Sequence, residues 1–229
     1  MNLQGKVVII TGASRGLGRE LALAFSKELA HVVASARSSK ELKVLEGETK
    51  GISIQADVIK DSDMLQLAKK TVSKFGRIDI WVNNAGIWIP HGPVEELNFS
   101  RVRDVIEVNL FGTMHGSKAA LLQMKKQGNG MIINILSTSA LDARAGSSAY
   151  GASKYGIIGF AKALRKEAEP SDIRVVNIYP GGMRTHLFDE KIPDNYSSYM
   201  NPKEVAQKIV ENLKKENPEE ELILKRPKP

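Results

Sequence analysis

The sequence predicts an α/β domain built on a parallel sheet, and three observations carry that prediction. Short continuous runs of β-branched and aliphatic residues recur along the chain, at Lys6–Thr11, His31–Ala36, Ile52–Gln55, Ile78–Asn83, Met131–Leu136 and Arg174–Tyr179. Between them lie stretches whose apolar residues follow helical spacing, and strands alternating with helices at this rhythm pair in parallel through right-handed crossovers. A glycine-rich turn joins the first strand to the first helix. At 229 residues the chain is long enough for one domain with a substantial core and short for two, so 1–229 is expected to be a single domain.

The first strand reads K-V-V-I-I-T and runs directly into T-G-A-S-R-G-L-G, Thr11 to Gly18. A helix follows from Arg19 to about Leu29 on Leu21, Ala24, Phe25 and Leu29. Strand, glycine turn and helix in that order make a phosphate site. Gly12, Gly16 and Gly18 let the backbone approach a pyrophosphate, while free amides and the helix dipole attract its charge. The second strand, His31–Ala36, is followed by Arg37 rather than an acid. A carboxylate there would hold a ribose 2′-hydroxyl, whereas a basic residue accommodates a 2′-phosphate; Arg37, helped by Arg15, therefore points to NADP(H) over NAD(H).

A short helix near Lys40–Leu45 leads to the strand Ile52–Gln55 and then to Ala56, Asp57 and Val58. Asp61 reads as the N-cap of a helix Ser62–Phe75. The strand Ile78–Asn83 runs into N-N-A-G, Asn83 to Gly86, and Ser100–Gln127 reads as one long helix that Gly112 and Gly116 weaken. After Met131–Leu136 and Gly146 a helix runs to about Ala168, and the strand Arg174–Tyr179 leads into P-G-G-M-R-T, Pro180 to Thr185. A loop His186–Met200 precedes a helix Pro202–Lys215 and a final strand Glu221–Leu224. The last residues, K-R-P-K-P, are too polar and proline-rich to pack.

Composition excludes several function classes. Without cysteine there is neither a disulfide nor a catalytic thiol, which fits a reducing compartment. No apolar run approaches the roughly 20 residues that cross a bilayer, and Met1–Gly5 lacks the order of a signal peptide, so a cytoplasmic protein with no membrane partner is expected. The formal charge of +7 is spread in pairs such as Lys125 with Lys126 and Lys214 with Lys215, which reads as a solvated surface rather than a nucleic-acid site. His91 and His186 stand alone on loops, with no ligand cluster around either, and no metal is expected.

Tyr150 to Lys154 reads Y-G-A-S-K. Four residues apart on a helix, the phenol and the ammonium share one face. A phenol is a poor acid at neutral pH, and a neighbouring cation lowers its pKa by favouring phenolate, so the pair is a candidate proton donor.

Taken together, T-G-A-S-R-G-L-G, N-N-A-G, Asn109, Ser137, Y-G-A-S-K and P-G-G-M-R-T resemble the short-chain dehydrogenase/reductase family in order and spacing, over essentially the whole chain. The glycine pattern is the non-extended type, which speaks against the family's sugar-nucleotide epimerases. The resemblance implies a doubly wound Rossmann sheet of seven parallel strands, order 3-2-1-4-5-6-7, with helices on both faces and NAD(P) across the strand ends. It implies Tyr150 as general acid in reduction and base in oxidation, with Lys154 lowering its pKa and binding the nicotinamide ribose. Ser137 would bond the substrate carbonyl, and Asn109 would hold a water linking Lys154 to solvent. Leu136 stands where the family commonly has a second serine; Ser139 is the lesser substitute.

For the cofactor the resemblance maps Gly12, Ser14, Arg15, Gly16, Leu17 and Gly18 to the phosphates and Asp57 and Val58 to the adenine. Asn83, Ala85 and Gly86 would wall the ribose, Pro180, Gly181, Met183 and Thr185 would face the nicotinamide, and Arg37 matches the NADP-preferring branch. Around the substrate it places Ile87, Trp88, Ser139, Gly182, Leu187 and Phe188, an apolar pocket with few charges. The segment at about 186–200 is short for the family's lid, implying an open site and a small or tolerated substrate. Dimers or tetramers through the two long helices are expected. The reading that follows is an NADPH-dependent, reversible reductase of a ketone or aldehyde. The alternative is a catalytically silent NADP(H)-binding regulator or scaffold, against which the complete set Asn109, Ser137, Tyr150 and Lys154 argues.

Overall fold

The computed structural model describes residues 1–142 and 144–226. Its strands are β1 (Val7–Thr11), β2 (His31–Ala36), β3 (Ile52–Gln55), β4 (Ile80–Asn83), β5 (Gly130–Ile135), β6 (Ile173–Pro180) and β7 (Glu221–Leu224). All neighbours pair in parallel in the order β3-β2-β1-β4-β5-β6-β7, as expected. The central strands are apolar without alternation because helices cover both sheet faces. Val8 and Ile10 face α1 (Gly16–Lys27), α2 (Ser39–Thr49) and α7 (Pro202–Lys214), packing with Leu21, Phe25, Leu45 and Ile209. Val7 and Ile9 face the opposite layer, α3 (Asp61–Phe75), α5 (Gly112–Gln127) and α6 (Ser148–Ala168), with Met64, Leu67, Ala120 and Leu164.

The register carries a buried polar row. Asn83 aligns with Asn134, Asn134 with Asn177, and Asn177 with Glu221. Asn83 Nδ2 donates to Asn134 Oδ1 at 3.0 Å, Asn134 Nδ2 to Asn177 Oδ1 at 3.1 Å, and Asn177 Nδ2 to Glu221 Oε1 at 3.1 Å. Polar groups at these burials are tolerated only when partnered, so the row specifies the register of four strands.

Three expectations need correction. The long helix Ser100–Gln127 is not regular: α4 (Phe99–Ile106) passes into a wide π turn, Glu107–Phe111, before α5 begins. Asn98 caps α4 by accepting from the amides of Ser100 and Arg101. Gly112 and Gly116 sit where α5 approaches its neighbours most closely. A Cβ at Gly112 would lie 2.8 Å from Val58 Cγ2, and one at Gly116 would lie 2.7 Å from Trp81 Nε1 and collide with Asn83 Oδ1.

Second, Lys60 rather than Asp61 occupies the N-cap of α3. Asp61 opens the helix and reaches Lys118 Nζ at 2.7 Å. Third, the terminal segment does pack as far as Arg226, whose guanidinium lies 4.7 Å from the centre of the Tyr199 ring. Residues 227–229 of that segment lie outside the described residues. Among the described residues no helix is long and apolar enough to cross a membrane.

Candidate active site

The turn after β1 is shaped for an anion. Gly12 and Gly16 take φ values of +64° and +57°, and a Cβ on Gly12 would lie 2.7 Å from Ala85 Cα. Arg15 stands at the N-cap of α1 in extended conformation and its side chain caps nothing. The first turn of α1 holds no acid, so its amides and positive dipole end remain available to a ligand. Thr11 and Asn84 hold this turn against the end of β4. Thr11 Oγ1 accepts from the amides of Asn84 (3.1 Å) and Ala85 (3.2 Å), while Asn84 Nδ2 donates to the carbonyls of Thr11 (2.8 Å) and Gly12 (3.2 Å).

Tyr150 and Lys154 occupy the first turns of α6 and are both buried. Lys154 Nζ donates to the Ile135 carbonyl at 3.0 Å and lies 5.9 Å from the centre of the Tyr150 ring. Burial holds its ammonium down to about 8. The phenol moves the other way. Burial pushes Tyr150 up to about 12, with the Ser137 hydroxyl pulling against it. Both shifts have burial as their first cause, and the phenol stays protonated at neutral pH.

Ser137 lies at the end of β5, where its Oγ accepts from the Ser139 amide at 3.1 Å. That bond leaves the hydroxyl proton available. Leu136, beside it, packs in a buried apolar cluster with Ala140, Ile157 and Tyr179, which accounts for a leucine at this position. Asn109 sits in the π turn with no exposure. Its Nδ2 donates to the Ile87 carbonyl (3.0 Å) and to Ser153 Oγ (3.1 Å), and its Oδ1 accepts from the Ile87 amide (2.9 Å). Asn109 thus stands behind the cavity wall, tying the Gly86–Ile87 loop to α6 rather than facing a ligand. Ser153, whose Oγ also donates to the Tyr150 carbonyl at 2.7 Å, is a member of this link that sequence reasoning missed.

A single cavity of about 800 Å³ connects the glycine turn with Tyr150. Every residue expected at the cofactor lines it except Asn83. Asn83 is corrected: as the last residue of β4 it points into the polar row described above, where it bonds Asn134 and Ser117, and the next residue, Asn84, faces the cavity. The period-2 alternation of a strand puts neighbouring asparagines on opposite faces, and this was the signal available in the sequence. Trp88, Ser139, Gly182, Leu187, Ile87 and Phe188 line the other end. The expectation of few charges is corrected, for Arg144, Lys191, Asp194 and Arg226 line the cavity as well. Its apolar wall is aromatic, with Phe188 edge-on to Trp88 at 5.0 Å and to Tyr199 at 5.3 Å. His91 stands at the same end, 5.5 Å from Trp88, and is held below its ordinary pKa by burial and then by Arg144.

The family model of the short chain dehydrogenases matches residues 6–196. The chain belongs to this family. As a short-chain dehydrogenase it is an oxidoreductase with a nucleotide-binding Rossmann fold, and its relatives share nearly its full length. It is 34% identical over 230 residues to the 3-oxoacyl-(acyl-carrier-protein) reductase FabG of Thermotoga maritima, covering 92% of this chain and 91% of the relative. Among solved structures, the 3-ketoacyl-(acyl-carrier-protein) reductase from Brucella melitensis complexed with NADH superposes with a TM-score of 0.88 at 28% identity, covering 97% of this chain and 96% of that one. The alcohol dehydrogenase from Thermococcus sibiricus complexed with 5-hydroxy-NADP gives 0.87 at 28% identity, covering 99% of this dehydrogenase and 100% of that one.

Proposed function

We propose that the protein is an NADP(H)-dependent oxidoreductase that reduces a ketone or aldehyde to an alcohol, reversibly, with Tyr150 as the proton donor. The observation that carries this reading is that one cavity joins the uncapped start of α1 to the Ser137–Tyr150 pair. The close-packed glycine turn and the free amides of α1 fit a dinucleotide pyrophosphate. Arg37 at the end of β2 and Arg15 at the turn both line the cavity, which supports a 2′-phosphate and hence NADP(H). The bound nicotinamide would supply the hydride.

The chain's own residues account for the rest. Negative charge grows on the carbonyl oxygen as the carbon is reduced, and two hydroxyls meet it. Ser137, its oxygen already engaged by Ser139, donates a hydrogen bond to that oxygen. Tyr150, whose raised pKa keeps it protonated at neutral pH, donates the proton and takes it back in the oxidation direction. Lys154, fixed on Ile135, contributes positive charge below pH about 8 and would bond the nicotinamide ribose. Asn109 and Ser153 are positioning residues for α6. Exposed apolar side chains on α4 to α6, among them Phe111 and Tyr155, support pairing of identical copies, and the same reading takes 1–229 as one domain in the cytoplasm.

The test is NADPH and NADH oxidation over a panel of ketones and aldehydes, with Tyr150→Phe beside the wild type. The expected outcome is turnover that falls about 10²–10⁴-fold in the variant, with NADPH affinity nearly unchanged. Tight NADPH binding with no turnover of any compound would favour a cofactor-binding regulator instead.

A further inference from the structure

We propose that the substrate is a small anionic carbonyl compound whose carboxylate or phosphate is held by Arg144, Lys191 and Arg226. This rests on the reductase reading and names the substrate class of the same site. All three residues line the catalytic cavity, and two are tied to its aromatic end, Arg226 on the ring of Tyr199 and Arg144 beside His91, the neighbour of Trp88. Among the described residues none of them has a side-chain hydrogen bond or an ion pair. The acids of the neighbouring segment are spoken for: Asp189 reaches Arg15 at 3.8 Å and His186 at 3.1 Å, and Glu190 reaches Arg101 at 2.6 Å. Asp194 is the one carboxylate of residues 186–195 that lines the cavity.

Unpaired cations lining one cavity raise its potential and favour an anion inside it. Arg226 is held in place for that anion, over the ring of Tyr199 and packed with its Cγ 3.3 Å from where a Cβ on Gly181 would lie. A glycine at position 181 is what lets the arginine stem lie so close to the P-G-G-M-R-T loop. His91, at the same end, is held below its ordinary pKa by burial and then by Arg144, so the cations named here act without it at neutral pH. Trp88, Phe188 and Tyr199 supply an apolar face for the carbon skeleton beside the cationic rim.

The experiment compares charged and neutral partners of the same skeleton: 4-oxo-4-phenylbutanoate with its methyl ester, and dihydroxyacetone phosphate with dihydroxyacetone. In steady state with NADPH at low ionic strength, kcat/KM is expected to favour the charged member of at least one pair by tenfold or more. Which pair shows the preference separates carboxylate from phosphate. The preference should shrink severalfold on raising salt from roughly 0.02 to 0.5 M, a control that needs no variant. In Arg144→Ala, Lys191→Ala and Arg226→Ala combined, the charged-to-neutral ratio should fall toward one, through KM.

A ratio near one in the wild type, or one unmoved by the triple substitution, overturns the proposal while leaving the reductase reading intact. If nothing is turned over, calorimetric titration of the same compounds into NADP⁺-saturated protein decides. Selective binding of the charged member would keep the anion site and remove the reductase reading, whereas no selectivity removes the anion site.

Discussion

Lys154 is the residue at which chemistry and stability pull in opposite directions. Its ammonium is buried, which lowers its pKa from 10.5 to about 8. Between those values the unfolded chain binds more protons than the folded one, so this residue makes stability rise with pH over that window. Below pH about 8 both states are charged and the full desolvation cost remains, on the order of 2–3 kcal/mol. Lys154→Met should therefore stabilise the protein at pH 7 by about 2 kcal/mol, with the gain vanishing toward pH 10.5; thermal melts of both proteins across that range check it. A constant gain at all pH values would mean that the ammonium is not desolvated. Tyr150, raised from 10 to about 12, acts from pH about 10 upward and with the opposite sign. Arg37 is exposed at the end of β2 with its carbonyl accepting from Gln55 Nε2 at 2.8 Å. Arg37→Asp is expected to raise KM for NADPH tenfold or more and to leave KM for NADH nearly unchanged. An unaltered ratio of the two would remove Arg37 from the 2′-phosphate.

At the scale of the elements, the row Asn83–Asn134–Asn177–Glu221 ties β4, β5, β6 and β7 together by side chains as well as by backbone. Asn134 is its centre, fully buried and bonded on both sides. Replacing it with leucine leaves the Asn177 carbonyl oxygen without its donor and removes one acceptor from Asn83. Unfolding in urea should show Asn134→Leu destabilised by about 2–4 kcal/mol with an unchanged slope. A loss below about 0.5 kcal/mol would show that the row does not contribute to stability. The π turn at Glu107–Phe111 is the other element with a consequence for the site. Its wider winding inserts Asn109 between Ile87 and Ser153, which a regular helix over Ser100–Gln127 does not imply.

For the whole molecule, both sheet faces are covered, and four of the large apolar side chains left exposed lie along the segment α4, π turn, α5 and on α6. Phe99 is 63% exposed, Phe111 42%, Leu122 51% and Tyr155 45%. Under the proposed pairing a second copy covers these groups. Light scattering is expected to give a dimer or tetramer, and Phe111→Glu combined with Tyr155→Glu to give a smaller species. A wild-type monomer at micromolar concentration would rule this out.

How much of this was legible in the sequence follows from how local each signal is. The strand runs, the glycine turn and the i, i+4 spacing of Tyr150 and Lys154 are set by neighbours in the chain. They determined the parallel α/β fold and brought Ser137, Tyr150, Lys154 and the glycines into one cavity as expected. Arg37 was legible for the same reason, since a strand end has a fixed place in this architecture. What only the tertiary structure decided depends on groups far apart in sequence. Asn84 rather than Asn83 faces the cavity because Asn134 and Ser117 claim Asn83. Burial raises the phenol and lowers the ammonium, because desolvation is a property of the whole packed environment. Arg226 and Arg144 line one cavity although 82 positions of chain separate them, a placement that no local pattern encodes and that folding alone creates.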